Sequence, residues 1–418
     1  MNHIKISNEI QKLAERTMTD IEPQLQAIDN TAQTNTEKVL AAFQRHRVSD
    51  TYFSGSTGYG YNDKGRDVLD LLFADIMGTP SALVRTGFVN GTHAITTALF
   101  ASLRPGQTLL SVTGLPYDTI HGVIGITGNL KGSLKDYGMS YSQIDLSEDD
   151  SPDISGIMKE LRGNNEIGAI LIQRSRGYSS RRALTVNEIG DICDAVHGYS
   201  KNINIFVDNC YGEFVEIIEP GDVGADIMAG SLIKNPGGGL MPGGGYVAGR
   251  EDLVEAAAFR LTTPGIGGEC GANPYGHRIY YQGLFTAPHT VAQAMKTAVF
   301  CARLLELSGY KTYPKYDDIR SDIIQAVEFN SPELLKRFCR GIQKGAPVDS
   351  YITPVPSEMP GYDCPVIMAA GAFVQGSTIE LSADGPLREP YCAYLQGGLT
   401  FESGKLGIML AAQELLNS

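Results

Sequence analysis

Along the first 50 residues, side chains suited to a buried face return at three- and four-residue steps: Ile10, Leu13, Ala14, Thr17, Met18, Ile21 and Leu25, with Glu, Gln, Lys and Arg between them. That period predicts helix, packed on its own domain or on a partner subunit. The pattern then breaks. Residues 54–66 are polar and rich in glycine and tyrosine, which predicts a functional loop and not core. From about 65 to 250, short apolar runs alternate with helical periods, as in a mostly parallel sheet with helices on both faces. The strand candidates are 82–84, 108–112, 169–172, 203–207, 225–229 and 245–248. Helices are predicted over 91–103, 186–199 and 251–260, with a long one near 291–305. From about Tyr313 the tail has strand candidates of its own, 365–370 and 377–381. The expected division is a helical segment and loop over 1–64, a large α/β domain over 65–305, and a smaller α+β domain over 306–418.

Composition narrows the class. A chain of 418 residues with 42% hydrophobic content can bury a large core. A formal charge of −13 argues against a nucleic-acid surface, although local basic clusters can still hold a phosphate. Seven scattered cysteines without a CxxC pair point to a reducing compartment, and away from a disulfide framework or a metal site. The start of the chain carries no signal-like apolar region, and no apolar stretch is long enough to span a bilayer. A cytoplasmic location without membrane partners is therefore expected.

The chemistry gathers where predicted strands end. Asp208 follows the apolar run 204–207, and Lys234 lies just past 226–229 and Ser231. Ligands of open α/β sheets collect at the carboxyl ends of strands. An amine and an acid placed there suit pyridoxal phosphate, whose aldehyde condenses with an amine and whose ring nitrogen needs a carboxylate. Residues 87–94 follow one strand candidate and open a helix candidate, so N–H groups at Gly91 and Thr92 can face an anion, with Ser231 as a further hydroxyl donor. Asparagine and threonine there also serve as plain helix caps. His93 either meets the cofactor ring or caps the same turn. Tyr117, just past the strand candidate 108–112, either stacks on a flat ring or is an ordinary loop tyrosine. Gln173 ends a strand and fits as a neutral donor near the cofactor's phenolic oxygen. The neighbouring Arg174, Arg176, Arg181 and Arg182 are expected on a solvated or subunit-facing loop. Arg388 can grip a substrate carboxylate through two parallel hydrogen bonds, unless it only pairs with Glu389 or Asp384 on the surface. Neither a GxGxxG fingerprint nor a Walker pattern is present.

Four motifs carry a family resemblance: Val207-Asp208-Asn209-Cys210-Tyr211-Gly212-Glu213-Phe214, Gly230-Ser231-Leu232-Ile233-Lys234-Asn235-Pro236-Gly237-Gly238, Val374-Gln375-Gly376-Ser377, and Tyr394-Leu395-Gln396-Gly397-Gly398-Leu399-Thr400. The chain resembles the methionine gamma-lyase-like, or aluminium-resistance, family of fold-type I pyridoxal phosphate enzymes. It is more distantly similar to cystathionine lyases and synthases. The resemblance implies an α/β large domain with a mostly parallel seven-stranded sheet and a smaller C-terminal α+β domain. It makes Lys234 the Schiff-base lysine and Cα base, Asp208 the ring-nitrogen partner, and Gly91, Thr92 and Ser231 phosphate donors. Tyr117 or Tyr59 would protonate a departing sulfur. Tyr59, Tyr61 and Arg66 are the nearest match to the tyrosine and arginine that a neighbouring subunit contributes, so a homo-oligomer, a dimer of dimers, is implied. Residues 59–62 lack an arginine two places after the first tyrosine, and 401–404 depart from the family's tyrosine-glutamate-histidine. The expected reaction is carbon–sulfur lysis of an amino acid, with an aminotransferase or a catalytically idle cofactor-binding protein as alternatives.

Overall fold

The structure, a computed structural model, describes residues 3–128, 130–179, 181–359 and 362–416. Seven strands form the large sheet: β1 Ser81–Arg85, β2 Thr108–Ser111, β3 Ser140–Gln143, β4 Ile167–Gln173, β5 Asn204–Asp208, β6 Ile227–Ser231 and β7 Gly245–Gly249. Their order is β1-β7-β6-β5-β4-β2-β3. Every pairing is parallel except those of β7, which runs antiparallel to both β1 and β6. Central β4 is buried at every position, as an apolar run covered on both faces must be. Edge strand β3, Ser-Tyr-Ser-Gln, is half-exposed and polar, and for that reason the sequence pattern does not mark it.

A second sheet, wholly antiparallel, comprises β8 Lys311–Tyr313, β9 Gln325–Glu328, β10 Val366–Ala370, β11 Ser382–Pro386 and β12 Cys392–Gln396, in the order β10-β11-β12-β9-β8. The expected strand at 377–381 is not one; the strand begins at Ser382. The preceding segment is held by other partners. The backbone N–H groups of Phe373 and Val374 donate to the Glu380 carboxylate, and Ser377 Oγ donates to the Ile233 carbonyl at 3.0 Å.

Helix Arg278–Leu307 joins the two sheets and is twice the length that the periodicity predicts. Pro288 lies inside it and is accommodated. Helix Asn8–Asp20 puts Ile10 and Ala14 into the small-domain core beside Phe338 and Ile408, while helix Glu22–Arg45 lies along Arg278–Leu307. The N-terminal helices thus brace both domains. Loop 54–66 is tied down within the chain as well: Ser56 N–H donates to Asn273 O at 3.1 Å, and His277 Nε2 lies 2.8 Å from Asp63. Among the described residues, no helix is long and apolar enough to cross a membrane, and no cluster of His, Cys, Asp and Glu could hold a metal ion.

Candidate active site

Parallel pairing places Gln173 beside Asp208, and Asp208 beside Ala229, at the carboxyl ends of β4, β5 and β6. Two residues beyond Ala229, Ser231 closes β6, and the chain turns so that Lys234 enters the same space. Asp208, Ser231 and Lys234 line one cavity of about 230 Å³, together with Gly91, Thr92 and Tyr117. The Lys234 amine sits 3.8 Å from the centre of the Tyr211 ring, within cation–π range. Desolvation opposes its charge, but Cys210, Tyr211 and Asp208 outweigh that and move its pKa upward. Burial also raises the Asp208 pKa, against the pull of Lys234 and the Cys210 N–H, which donates to Oδ1 at 3.1 Å.

The cavity has an anion cradle. Asn90 caps helix Gly91–Ser102 by accepting from His93 N–H at 2.9 Å. The N–H groups of Gly91 and Thr92, in the first turn, have no acceptor within the helix. A Cβ at Gly91 would come within 2.9 Å of Ser231 Cβ, so glycine lets the helix start close on the end of β6. Backbone donors and a serine hydroxyl are thereby concentrated at the positive end of a helix, where a phosphate is favoured. Across the cavity, the Asp208 carboxylate lines the wall, where it can meet a protonated ring nitrogen. An amine, a carboxylate and a phosphate cradle in one space fit pyridoxal phosphate.

Other expected residues divide by place. Tyr117 N–H donates to Gln173 Oε1 at 2.6 Å, and Gln173 Nε2 donates to Ser175 O at 3.0 Å, so Gln173 has one amide hydrogen left for a ligand. His93 is absent from the cavity lining; its Nδ1 accepts from Val89 N–H at 3.1 Å, the capping role. Tyr59 and Tyr61 stack on each other at 5.3 Å and are exposed, and neither lines the cavity. Arg66 is buried, with its guanidinium donating to Gly60 O and to the adjacent Asp67 of the same chain. Arg388 lines an adjoining cavity of about 1090 Å³ and pairs with Asp363 at 3.1 Å, not with Glu389 or Asp384.

The arginine cluster requires a correction, because Arg174 and Arg176 are 0% and 2% exposed and not solvated. Arg174 bonds Glu216 at 2.9 Å and Asn209 at 2.8 Å, with Glu219 at 3.4 Å, and Arg176 donates to Tyr313 O at 2.7 Å. Acids distant in sequence thus neutralise Arg174, which looks unpaired in the basic run. Conversely, sequence reasoning misses three residues of the cavity region. Tyr211 is visible only inside the motif that joins Asp208 to Lys234. Tyr362, whose hydroxyl lies 2.7 Å from that of Tyr117, and Tyr178, bonded to Asp384 at 2.8 Å, carry no local signal.

The methionine gamma-lyase family model matches residues 10–416. The chain belongs to the methionine gamma-lyase family. Membership makes it a lyase and implies pyridoxal phosphate as its cofactor. A carbon–sulfur lyase involved in aluminum resistance from Clostridium novyi NT superposes with a TM-score of 0.94 at 53% identity, covering 97% of this chain and 96% of that one. The uncharacterized protein YnbB of Bacillus subtilis strain 168 is 47% identical over 408 residues, 97% of this chain and 96% of its own. The fold extends further: the pyridoxal-5'-phosphate dependent protein YhfS from Escherichia coli has a TM-score of 0.63 at 18% identity, covering 94% of this chain and 97% of that one. The methionine gamma-lyase family motifs quoted above now have places. Ser377 holds the Lys234 turn, and Gly397-Gly398 packs where a side chain on Gly398 would strike Thr297.

Proposed function

We propose that this chain splits a carbon–sulfur bond in a sulfur-containing amino acid, releasing a thiol, ammonia and a keto acid. The convergence of Lys234, Asp208 and the Gly91–Ser231 cradle in one cavity carries the reading. Similarity to the Clostridium novyi carbon–sulfur lyase supports it. Pyridoxal phosphate, when bound, supplies an electron sink for the charge that develops at Cα. Gly91, Thr92 and Ser231 hold the phosphate, and Asp208 supports the positive ring nitrogen. Lys234 Nζ takes the Cα proton, Arg388 binds the substrate carboxylate, and the Tyr117 hydroxyl protonates the departing sulfur. The exposed pair Tyr59 and Tyr61 faces a second copy of the chain, and sedimentation of the active enzyme as a monomer would remove that part.

The test is incubation of the cofactor-loaded protein with L-methionine, L-cystathionine or L-cysteine, without an amino acceptor. Ammonia and a keto acid should accumulate together. A strict requirement for an acceptor would make the protein an aminotransferase, which uses the same lysine, aspartate and arginine.

A further inference from the structure

We propose that Tyr362 is a second acid–base residue of the lyase, forming with Tyr117 a hydroxyl pair that protonates the departing sulfur; this rests on the elimination reading above. Tyr362 lines both the inner cavity of Lys234 and the outer cavity of Arg388, as does Tyr117. The pair therefore stands where the two spaces meet. A substrate whose carboxylate reaches Arg388 while its Cα lies at Lys234 must pass these two hydroxyls. Their oxygens are 2.7 Å apart, with the rings nearly perpendicular at 82°.

The far side of the pair is fixed. Tyr178 packs against both rings, with centroids 5.5 Å from Tyr117 and 5.7 Å from Tyr362. Its own hydroxyl is committed to Asp384 Oδ2 at 2.8 Å, and its carbonyl accepts from Tyr394 OH at 2.8 Å. Tyr117 follows β2 in the large domain, whereas Asp384 and Tyr394 lie on β11 and β12 of the small domain. The pair is thus held by both domains.

Proton affinity explains why one tyrosine is not enough. A free tyrosine phenol has a pKa of about 10, close to that of a simple alkanethiol, so protonation of a departing thiolate by a lone tyrosine has little driving force to spare. Burial makes this worse by raising both Tyr117 and Tyr362. A second hydroxyl offsets the penalty, because a phenolate bonded to a neighbouring O–H holds its charge through a short, strong bond. In the proposed step the carbon–sulfur bond breaks with its electron pair on sulfur. Sulfur takes the Tyr117 proton, and the Tyr117 oxygen takes that of Tyr362. The Cα proton held on Lys234 Nζ balances the proton that the tyrosine pair has lost.

Leaving groups separate this role from simple packing. Cofactor-loaded wild type and Tyr362→Phe are compared on S-ethyl-L-cysteine, whose thiolate needs a proton, and 3-chloro-L-alanine, whose chloride does not. The variant should lose ~10²-fold in kcat/KM on the thioether and stay within ~3-fold on the chloride, with the visible cofactor band unchanged. Equal losses on both compounds, or no loss on either, overturn the proposal. Wild type that releases chloride but no thiol instead rejects carbon–sulfur lysis, and the inference falls with it. That result is read from the wild type alone and so is distinct from any ratio between variant and wild type.

Discussion

Asp208, Ser231 and Lys234 reach the cavity from strand ends whose register the sheet dictates, whereas Tyr362 and Arg388 reach the same region from the small domain. The first set forms a floor. Its backbone is locked by parallel pairing, and Asp208 and Ser231 are 8% and 1% exposed. The second set forms a wall of loops and turns, in which Arg388 is 40% exposed and paired to an exposed aspartate. The contrast suits the two tasks. A cofactor whose electronics depend on single contacts needs fixed partners, while a substrate entering and leaving needs side chains that can yield. Damage to the floor should therefore abolish chemistry, and damage to the wall should mainly weaken binding.

The largest effect is expected at Lys234. Lys234→Ala removes both the amine that meets the cofactor and the proposed Cα base, so elimination should fall by ~10³-fold or more. The visible band that borohydride bleaches in wild type should be missing, while circular dichroism melting stays cooperative. A variant that keeps the band and its turnover would erase the distinction between floor and wall. Arg388→Lys probes the other side. A lysine cannot reproduce two parallel hydrogen bonds to a carboxylate, so KM should rise by ~10-fold with kcat little changed. An unchanged KM would move carboxylate binding elsewhere in the outer cavity, where Arg176 and Arg181 also line the wall.

The same division decides what was legible in the sequence. Strands 82–84, 169–172 and 203–207 were readable from apolar runs, and they bring the Asp208 end of the floor with them. Thr92, Ser231 and Gly91 were readable because helix starts and strand ends announce themselves through local composition. The wall was opaque. Tyr362 meets Tyr117 across 245 residues of sequence, and Tyr178 meets Asp384 across 206. No periodicity reports such a contact, since it is made by the docking of one domain on another. Arg174 failed for a related reason inside the large domain, its partners Glu216 and Glu219 being 42 and 45 residues away. Arg388 was found by residue type alone, and its partner Asp363 was not.

A smaller effect tests how far the floor's rigidity extends downward. Glu213 lies beneath it, fully buried, where a Cβ on Gly230 would come within 2.5 Å of its Oε1. Tyr246 on β7 donates to Oε1 at 2.8 Å, and Oε2 has no partner. Burial raises the Glu213 pKa from 4.5 to about 8, with Glu219 adding repulsion and Tyr246 and Lys234 opposing the rise. Because the folded value exceeds the unfolded one, the native state binds more protons across this window. Stability must then fall as pH climbs from about 4.5 toward 8. Glu213→Gln keeps the acceptor for Tyr246 but cannot ionise, so its stability should decline less over that interval. Asp208 is also raised, but it is present in both proteins and cancels in the difference. Urea denaturation of the cofactor-free chain at pH 5 and pH 8 should show the variant gaining on wild type by ~1 kcal/mol or more at the higher pH. Parallel pH slopes would mean that Glu213 is already ionised at pH 5, and that the layer under Lys234 is wetter and less fixed than the strand ends above it.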